Sequence, residues 1–200
     1  TTSIVNSGYR KSHIIKKHFP DALVVFGGVH ATALPDEALR YPSIDYVVRG
    51  EGEEALLQLL QGAPLESISG ISYRENNAFR HIKPDGLMRD LDAISFPAFD
   101  KVNLKLYHPA VGAYRRLPAM NMLSSRGCVG KCTFCNSPNI PLRVRSAENI
   151  FAEMKMLSQE YGIREISFYD DTFTVQHKNI IELCDLLLKN KVKLTWCCFA

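Results

Sequence analysis

Cys128, Cys132 and Cys135 share the run Ser125-Arg126-Gly127-Cys128-Val129-Gly130-Lys131-Cys132-Thr133-Phe134-Cys135, with a glycine on either side of the first cysteine. Three thiolates this close in sequence can grip one polynuclear centre without help from distant residues. A four-iron cluster takes four cysteine ligands as a rule, so a local set of three leaves one iron open to something else. Zinc is the plainer alternative, but zinc sites pair C-x2-4-C with a second Cys/His pair. The other cysteines are Cys184, Cys197 and Cys198, and His177 stands alone. The array favours an iron–sulfur centre.

Two further sets of residues have the types and spacing for chemistry. Gly27-Gly28-Val29-His30 and Gly50-Glu51-Gly52-Glu53 are glycine-rich loops, and Asp170-Asp171 is a carboxylate pair. A lone glycine loop often supplies only a tight turn with positive φ, and an aspartate often only caps a turn. Their positions along the chain decide how to read them.

In the first 62 residues short apolar runs alternate with helical patterns. Leu23-Val24-Val25-Phe26 reads as a strand buried on both faces, and it runs into the first glycine loop. Pro35 and Asp36 open a short helix through Leu39. Tyr46-Val47-Val48 is the next strand, followed by the second glycine loop and a helix from Ala55 to Leu60. Upstream, His13 to His18 reads as a helix after a strand ending near Ile4. This alternation predicts a doubly wound, parallel α/β sheet, on which ligands bind beyond the carboxyl ends of the strands. Both glycine loops fall there.

Residues 63–117 read as a connector, punctuated by Pro84, Pro97 and Pro109, with a hairpin whose arms flank Glu75-Asn76-Asn77. From residue 118 the pattern becomes repeated (βα). Met120 to Leu123 is the first strand, and the cysteine loop leaves its end. Ser146 is a good N-cap for a helix with Ile150, Phe151, Met154, Leu157 and Tyr161 at helical spacing, stopped by Gly162. Ile163 to Tyr169 is the second strand, ending at the aspartate pair. A helix with Ile180, Ile181, Cys184, Leu187 and Leu188 on one face leads to a third strand, Lys193 to Phe199. Active sites of parallel (βα) barrels form at the C-terminal strand ends. The cysteine loop, Asp170-Asp171 and Cys197-Cys198 all fall at or near such ends. Cys184 is best explained as core, and Arg115-Arg116 as a solvated pair.

The C-x3-C-x2-C spacing, together with Phe134 before the last cysteine, resembles the signature of radical S-adenosylmethionine (SAM) enzymes. The glycine loops resemble the second half of the cobalamin-binding domain carried by many of them, and Leu91 to Pro97 the junction before their barrel. The resemblance implies a partial flavodoxin-like cobalamin-binding domain at 1–62, a connector at 63–117, and the first half of a partial (βα) barrel at 118–200. It implies that Cys128, Cys132 and Cys135 hold a 4Fe–4S cluster, with SAM on the open iron. Phe134, Tyr169 and Asp170 or Asp171 would lie beside SAM. Ser3 (or Thr2), Gly27, Gly28, His30, Gly50 and Glu51 would line the cobalamin site. The family's aspartate–histidine motif, which can supply the lower cobalt ligand, has no counterpart in this sequence, and His30 follows the wrong strand to replace it. The implied reaction is reductive cleavage of SAM to a 5′-deoxyadenosyl radical, with methyl transfer to an unactivated centre of a small-molecule substrate. Electrons would come from a reductase such as flavodoxin or ferredoxin.

Rivals to this reading are a cobalamin-dependent radical cyclase or rearrangement enzyme, a methylthiotransferase-like enzyme, and a non-catalytic metal-binding or electron-transfer module. The absence of cysteine from residues 1–62 speaks against the methylthiotransferase, whose amino-terminal domain binds a second cluster. A net charge of +3 with scattered basic residues gives no electrostatic case for nucleic acid. No apolar run approaches the roughly 20 residues of a membrane span. Clustered cysteines read as metal binding in a reducing compartment, hence the cytoplasm. The sequence opens without methionine and stops in a predicted strand, which suggests an internal piece expected to be inactive and poorly soluble alone.

Overall fold

The computed structural model describes residues 2–107, 109, 114–135 and 140–199. Thr1, Ala200 and the connector positions 108 and 110–113 lie outside the described residues. The chain divides into two compact units, Thr1–Met88 and Arg89–Ala200.

In the first unit, helix α1 (Val5–His18) leads to strand β1 (Val25–Phe26), two one-turn helices, α2 (Val29–Ala33) and α3 (Pro35–Leu39), strand β2 (Tyr46–Val48) and helix α4 (Glu53–Leu60). Strands β3 (Ile71–Glu75) and β4 (Ala78–His81) follow. The sheet order is β1-β2-β3-β4, with β1 and β2 parallel and the remaining pairs antiparallel. A parallel pair needs a long crossover, which α2 and α3 provide. The hairpin turns on Asn76 and Asn77, both left-handed (φ 47° and 63°), and it adds two antiparallel strands to this sheet. An isolated hairpin is marginal in water. Here Ile71 and Tyr73 are buried against Val48, Ala55 and Ile68.

Three expectations need correction. The Leu23–Phe26 run is not a doubly buried strand: only Val25–Phe26 pair, and Leu23 is exposed. Among the described residues β1 is the last strand of its sheet, so one edge and part of each face lack cover. Helix α1 begins at Val5, and Thr2–Ile4 form a 3-10 turn where a strand end was expected. Gly8 lowers local helix propensity, but buried Tyr9 and Ser12 anchor the helix. Tyr9 stacks on Tyr41 (3.9 Å) and Phe26 (5.4 Å), and the Ser12 and Ser43 hydroxyls meet at 2.7 Å. The first glycine loop passes directly into α2, so His30 is helical and not a loop residue.

The second unit contains β5 (Ala119–Met122), the short antiparallel pair β6 (Ser125–Arg126) and β7 (Arg143–Val144), α5 (Ala147–Glu160), β8 (Glu165–Phe168), α6 (His177–Lys189) and β9 (Thr195–Cys198). Strands β5, β8 and β9 form a parallel sheet in that order, aligned Ala119–Glu165–Thr195 through Met122–Phe168–Cys198. Helices α5 and α6 cover one face, burying Met122, Ile150, Met154, Leu157, Ile166, Phe168 and Leu183 together. The Ser146 hydroxyl accepts from Asn149 N–H at 3.1 Å as the N-cap of α5. Gly162, at φ 65°, ends the turn after it.

The buried face of α6 differs from the expected one. Ile180, Leu183, Leu186 and Leu187 pack on the core, whereas Ile181 and Leu188 are exposed. The apolar arc of this helix is wide, running from Leu186 round to Ile181 opposite the polar face of Lys178, Glu182, Asp185 and Lys189, so periodicity leaves open which half of it is buried and packing against α5 decides. At the amino-terminal end of β8, Glu165 is 3% exposed. Its carboxylate accepts from the backbone N–H groups of Arg115 and Arg116 and from the Thr195 hydroxyl. Burial alone would raise its pKa. Those donors and the Arg115 charge outweigh burial and hold it below the usual carboxylate range.

Candidate functional site

The cysteine loop is built on a clamped stem. It leaves β5 through Ser124 and returns through Arg145, whose N–H donates to Ser124 O at 2.9 Å. Asp170, 2% exposed at the end of β8, accepts from the backbone N–H and the hydroxyl of both Ser124 and Ser125. Such charge-assisted bonds to a buried carboxylate are strong and specific. On the other arm, Arg145 donates to Leu123 O (2.8 Å) and pairs with buried Glu153 (2.6 Å). Its guanidinium also lies over the Phe96 ring at 5.6 Å. Asp92, four residues before Phe96, accepts from Ser146 N–H at 2.9 Å.

Gly127 lets the two arms cross. Its φ is +85°, and a Cβ there would stand 2.4 Å from Pro141 O and 2.7 Å from Ile140 O. Next to it, Cys128 N–H donates to Ile140 O at 3.2 Å. Beyond the crossing lie the three thiols: Cys128 half-buried, Cys132 and Cys135 exposed, none in a disulfide. Gly130 N–H donates to Cys128 Sγ at 3.3 Å. A Cβ on Gly130 would lie 3.3 Å from that sulfur and 3.7 Å from Cys132 Sγ. Among the described residues, no three Cys, His, Asp or Glu side chains already converge as a metal site. The donor set nevertheless fits an iron–sulfur centre by chemistry: three thiols outside any disulfide, on one short loop with a clamped base.

The ends of β8 and β9 border the same edge of the sheet. Asp171 is exposed and, unlike Asp170, has no polar partner among the described residues. Tyr169 is half-exposed and packs edge-on against Phe199 at 5.6 Å. Phe134 is 92% exposed at the loop tip. On the face opposite α5 and α6, a cavity of about 710 Å³ is lined by residues including Glu165, Ser167, Tyr169, Thr195 and Cys197. Cys197 Sγ lies 3.3 Å from Ser167 Oγ. Burial pushes the Cys198 thiol up in pKa, and neighbouring Cys197 and Asp170 act in the same direction. Cys198 therefore stays a thiol.

In the first unit the glycine loops meet at Thr32, whose hydroxyl accepts from Gly50 N–H at 2.9 Å. Gly28 (φ 89°) and Gly50 (φ 79°) use backbone that L-residues rarely adopt, and a Cβ on either would meet nothing within 4 Å. That open space is what a close backbone approach to a ligand requires. A cavity of about 360 Å³ lies between α1 and the first glycine loop, lined by Ile4, Val5, Gly8, Lys11, Phe26, Gly27 and His30 among others. His30 is 7% exposed. Its Nδ1 lies 3.2 Å from the Thr2 hydroxyl, and its Nε2 lies 3.3 Å from Glu37 Oε1 and 3.4 Å from the Tyr9 hydroxyl. Burial, then the hydrogen bond and charge of Glu37, push the Tyr9 pKa up to about 12. Ser3 lies in the exposed turn before α1. The Glu51 carboxylate accepts from Met88 N–H at 2.9 Å.

Sequence reading missed Ser124, Ser125, Thr172, Arg145 and the Tyr9–Glu37 pair around His30. The usable signal was a hydroxyl pair at one strand end beside a carboxylate at the next. The two-residue strands β6 and β7 carry no period to read.

Comparison with known proteins adds to this geometry. Residues 2–60 match the B12 binding domain family, and residues 122–200 match the Radical SAM superfamily. An uncharacterized methyltransferase of Pyrococcus horikoshii is 35% identical over 204 residues, covering 98% of this chain and 43% of that protein. The anaerobic magnesium-protoporphyrin IX monomethyl ester cyclase of Cereibacter sphaeroides is 30% identical over 211 residues, covering 96% of this chain and 34% of that protein. The chain thus spans less than half the length of these curated relatives. A structure of the cobalamin-dependent S-adenosylmethionine radical enzyme OxsB with aqua-cobalamin bound shares the fold, with a TM-score of 0.75 at 21% identity. That match covers 96% of this chain and 28% of the other. With both domain families matched in this order, the chain belongs to the radical SAM proteins that carry a B12-binding domain.

Proposed function

We propose that the protein containing this chain is a cobalamin-dependent radical SAM methyltransferase acting on a small molecule. One observation carries the reading: the clamped three-cysteine loop leaves β5 where the ends of β8 and β9 border the same sheet edge. Cys128, Cys132 and Cys135 would hold a 4Fe–4S cluster through their thiolates. Gly130 keeps the space between the sulfurs of Cys128 and Cys132 free of side chain. Asp170 is already engaged, so we assign it to holding the loop. Phe134, Tyr169 and Asp171 are left to face SAM, with the Asp171 carboxylate accepting from its amino group. In the first unit, Gly27, Gly28 and Gly50 would admit the cobalamin tail, with Thr2, Ser3, His30 and Glu51 around it. When bound, these groups supply a one-electron reductant, a carbon-centred radical and a methyl carrier. The chain's own residues position them and exclude water.

Residues 1–62 and 118–200 are the parts we assign to the cobalamin and radical domains. A flavodoxin- or ferredoxin-type donor and a cytoplasmic setting belong to the same reading. No helix among the described residues is long and apolar enough to cross a membrane. A radical cyclase is the second reading, favoured by the 30% identity to the magnesium-protoporphyrin ester cyclase. Product analysis on the full-length, reconstituted protein separates the two. A methyltransferase releases S-adenosylhomocysteine together with 5′-deoxyadenosine under reducing turnover. Release of 5′-deoxyadenosine alone would favour the cyclase, and release of neither would refute both.

A further inference from the structure

The β8 loop reaches the cysteine loop twice. Its first contact, Asp170, grips the stem at Ser124 and Ser125. The second lies at the ligand itself: Thr172 Oγ1 stands 3.7 Å from Cys128 Sγ. Cys128 Sγ also accepts from Gly130 N–H. One sulfur is thus approached by a backbone donor of its own loop and by a hydroxyl from the neighbouring strand.

Thr172 is well placed to hold that position. Asp170, two residues before it, is buried and fully engaged. Phe173, directly after it, is 4% exposed and stacks on Phe168 at 4.5 Å. Phe173 N–H donates to Phe199 O at 3.1 Å. Thr172 itself is in extended backbone (φ −155°) and half-buried, so its hydroxyl sits on a short segment pinned at both ends. In a free thiol either partner can donate. Once Cys128 is a metal-bound thiolate it carries no proton, and only the Thr172 hydroxyl can donate.

We infer that Thr172 tunes the cluster, its hydroxyl donating a hydrogen bond to the Cys128 thiolate and raising the cluster's reduction potential. Reduction adds negative charge that spreads onto the ligand sulfurs, and a donor aimed at one of them stabilises the reduced form more than the oxidised form. Hydrogen bonds to sulfur are among the levers a protein has over such a potential. Thr172 is a positioning and tuning residue in this role, acting through Cys128. The inference rests on the cluster assignment above and adds a residue outside the cysteine loop that acts on one of its ligands.

The test is a spectroscopically monitored redox titration of the full-length protein, anaerobically reconstituted and free of SAM. Thr172→Val keeps the shape and removes the hydroxyl; Thr172→Ser keeps the hydroxyl and removes the methyl. With iron content unchanged, Val should lower the potential so that the reduced fraction at fixed poise falls several-fold. A tenfold change would be about 59 mV for one electron. Ser should stay at the wild-type value. Equal potentials for wild type and Val, a rise in Val, or a fall that Ser shares would each overturn the inference. If Val does not retain iron, Thr172→Ala takes its place in the same comparison. Wild-type protein that holds no iron would instead overturn the cluster assignment, so the two failures are distinct.

Discussion

Replacing Gly127 by alanine tests whether the cysteine loop depends on the crossing of its two arms. The added Cβ would lie 2.4 Å from Pro141 O, 2.7 Å from Ile140 O and 2.8 Å from Pro141 C. Even weak C–H···O contacts sit at about 3.3–3.6 Å, so the nearest overlap is roughly 0.9 Å and falls on backbone. At φ +85° a residue with a Cβ also costs roughly 1–2 kcal/mol. Overpacking adds about 1–3 kcal/mol, for a total of about 2–5 kcal/mol. The Cys128 N–H to Ile140 O bond spans the same crossing and would be lost as the arms part. Gly162→Ala is the matched control, because Gly162 has φ +65° but nothing within 4 Å of its Cβ. The two variants share the conformational cost and differ in the contact. Thermal unfolding of the full-length protein should place Gly127→Ala lower than the control by roughly 4 °C per kcal/mol of that difference. Iron uptake should fall in Gly127→Ala alone. Equal melting temperatures and equal iron in the two variants would refute the reasoning.

Asp170→Asn should destabilise the second unit by about 3 kcal/mol, since an amide presents donors to the donors of Ser124 and Ser125 and leaves buried groups unsatisfied. Iron retention should fall more than in Asp171→Asn, and the reverse order would count against Asp170 as the clamp. Glu165 has a folded pKa below its unfolded one, so its contribution is present above the unfolded value and lost as pH falls through the folded one. Below about pH 4.3, the ordinary glutamate value, wild-type melting temperature should fall more steeply than that of Glu165→Gln; parallel profiles would contradict this. Gly28→Val should weaken hydroxocobalamin binding while leaving the iron content intact. Its backbone is left-handed and its Cβ would enter open space, so unchanged retention would remove Gly28 from the cobalamin site.

The parts of the molecule legible in the sequence are those with strong local signals. The cysteine spacing, the Ser146 cap, the Gly162 stop and the β5-α5-β8-α6-β9 alternation all depend on near neighbours in the chain. The Asn76-Asn77 hairpin was equally plain, but not its pairing with β2, which depends on residues such as Tyr46 and Tyr73 meeting across the sheet. The face of α6 was misread because its apolar arc is wider than the surface that α5 covers, leaving tertiary packing to choose Leu183 over Ile181. Asp170 and Asp171 are alike in sequence and opposite in structure. What separates them is the course of the chain past the end of β8, which turns one carboxylate toward the stem of the neighbouring loop and leaves the other exposed. The His30 environment was hidden for a similar reason, since Thr2, Tyr9 and Glu37 come to it from three separate elements.

The most direct test of the central claim is metal analysis of the full-length protein after anaerobic reconstitution, with each cysteine replaced in turn. The cluster assignment predicts about four irons and four sulfides per chain, bleached by dithionite. Cys128→Ala, Cys132→Ala and Cys135→Ala should each lose most of them, while Cys184→Ala, a half-buried residue of α6, should keep them. One zinc per chain with no iron, or an equal loss from Cys184→Ala, would contradict the assignment of Cys128, Cys132 and Cys135 as the cluster ligands.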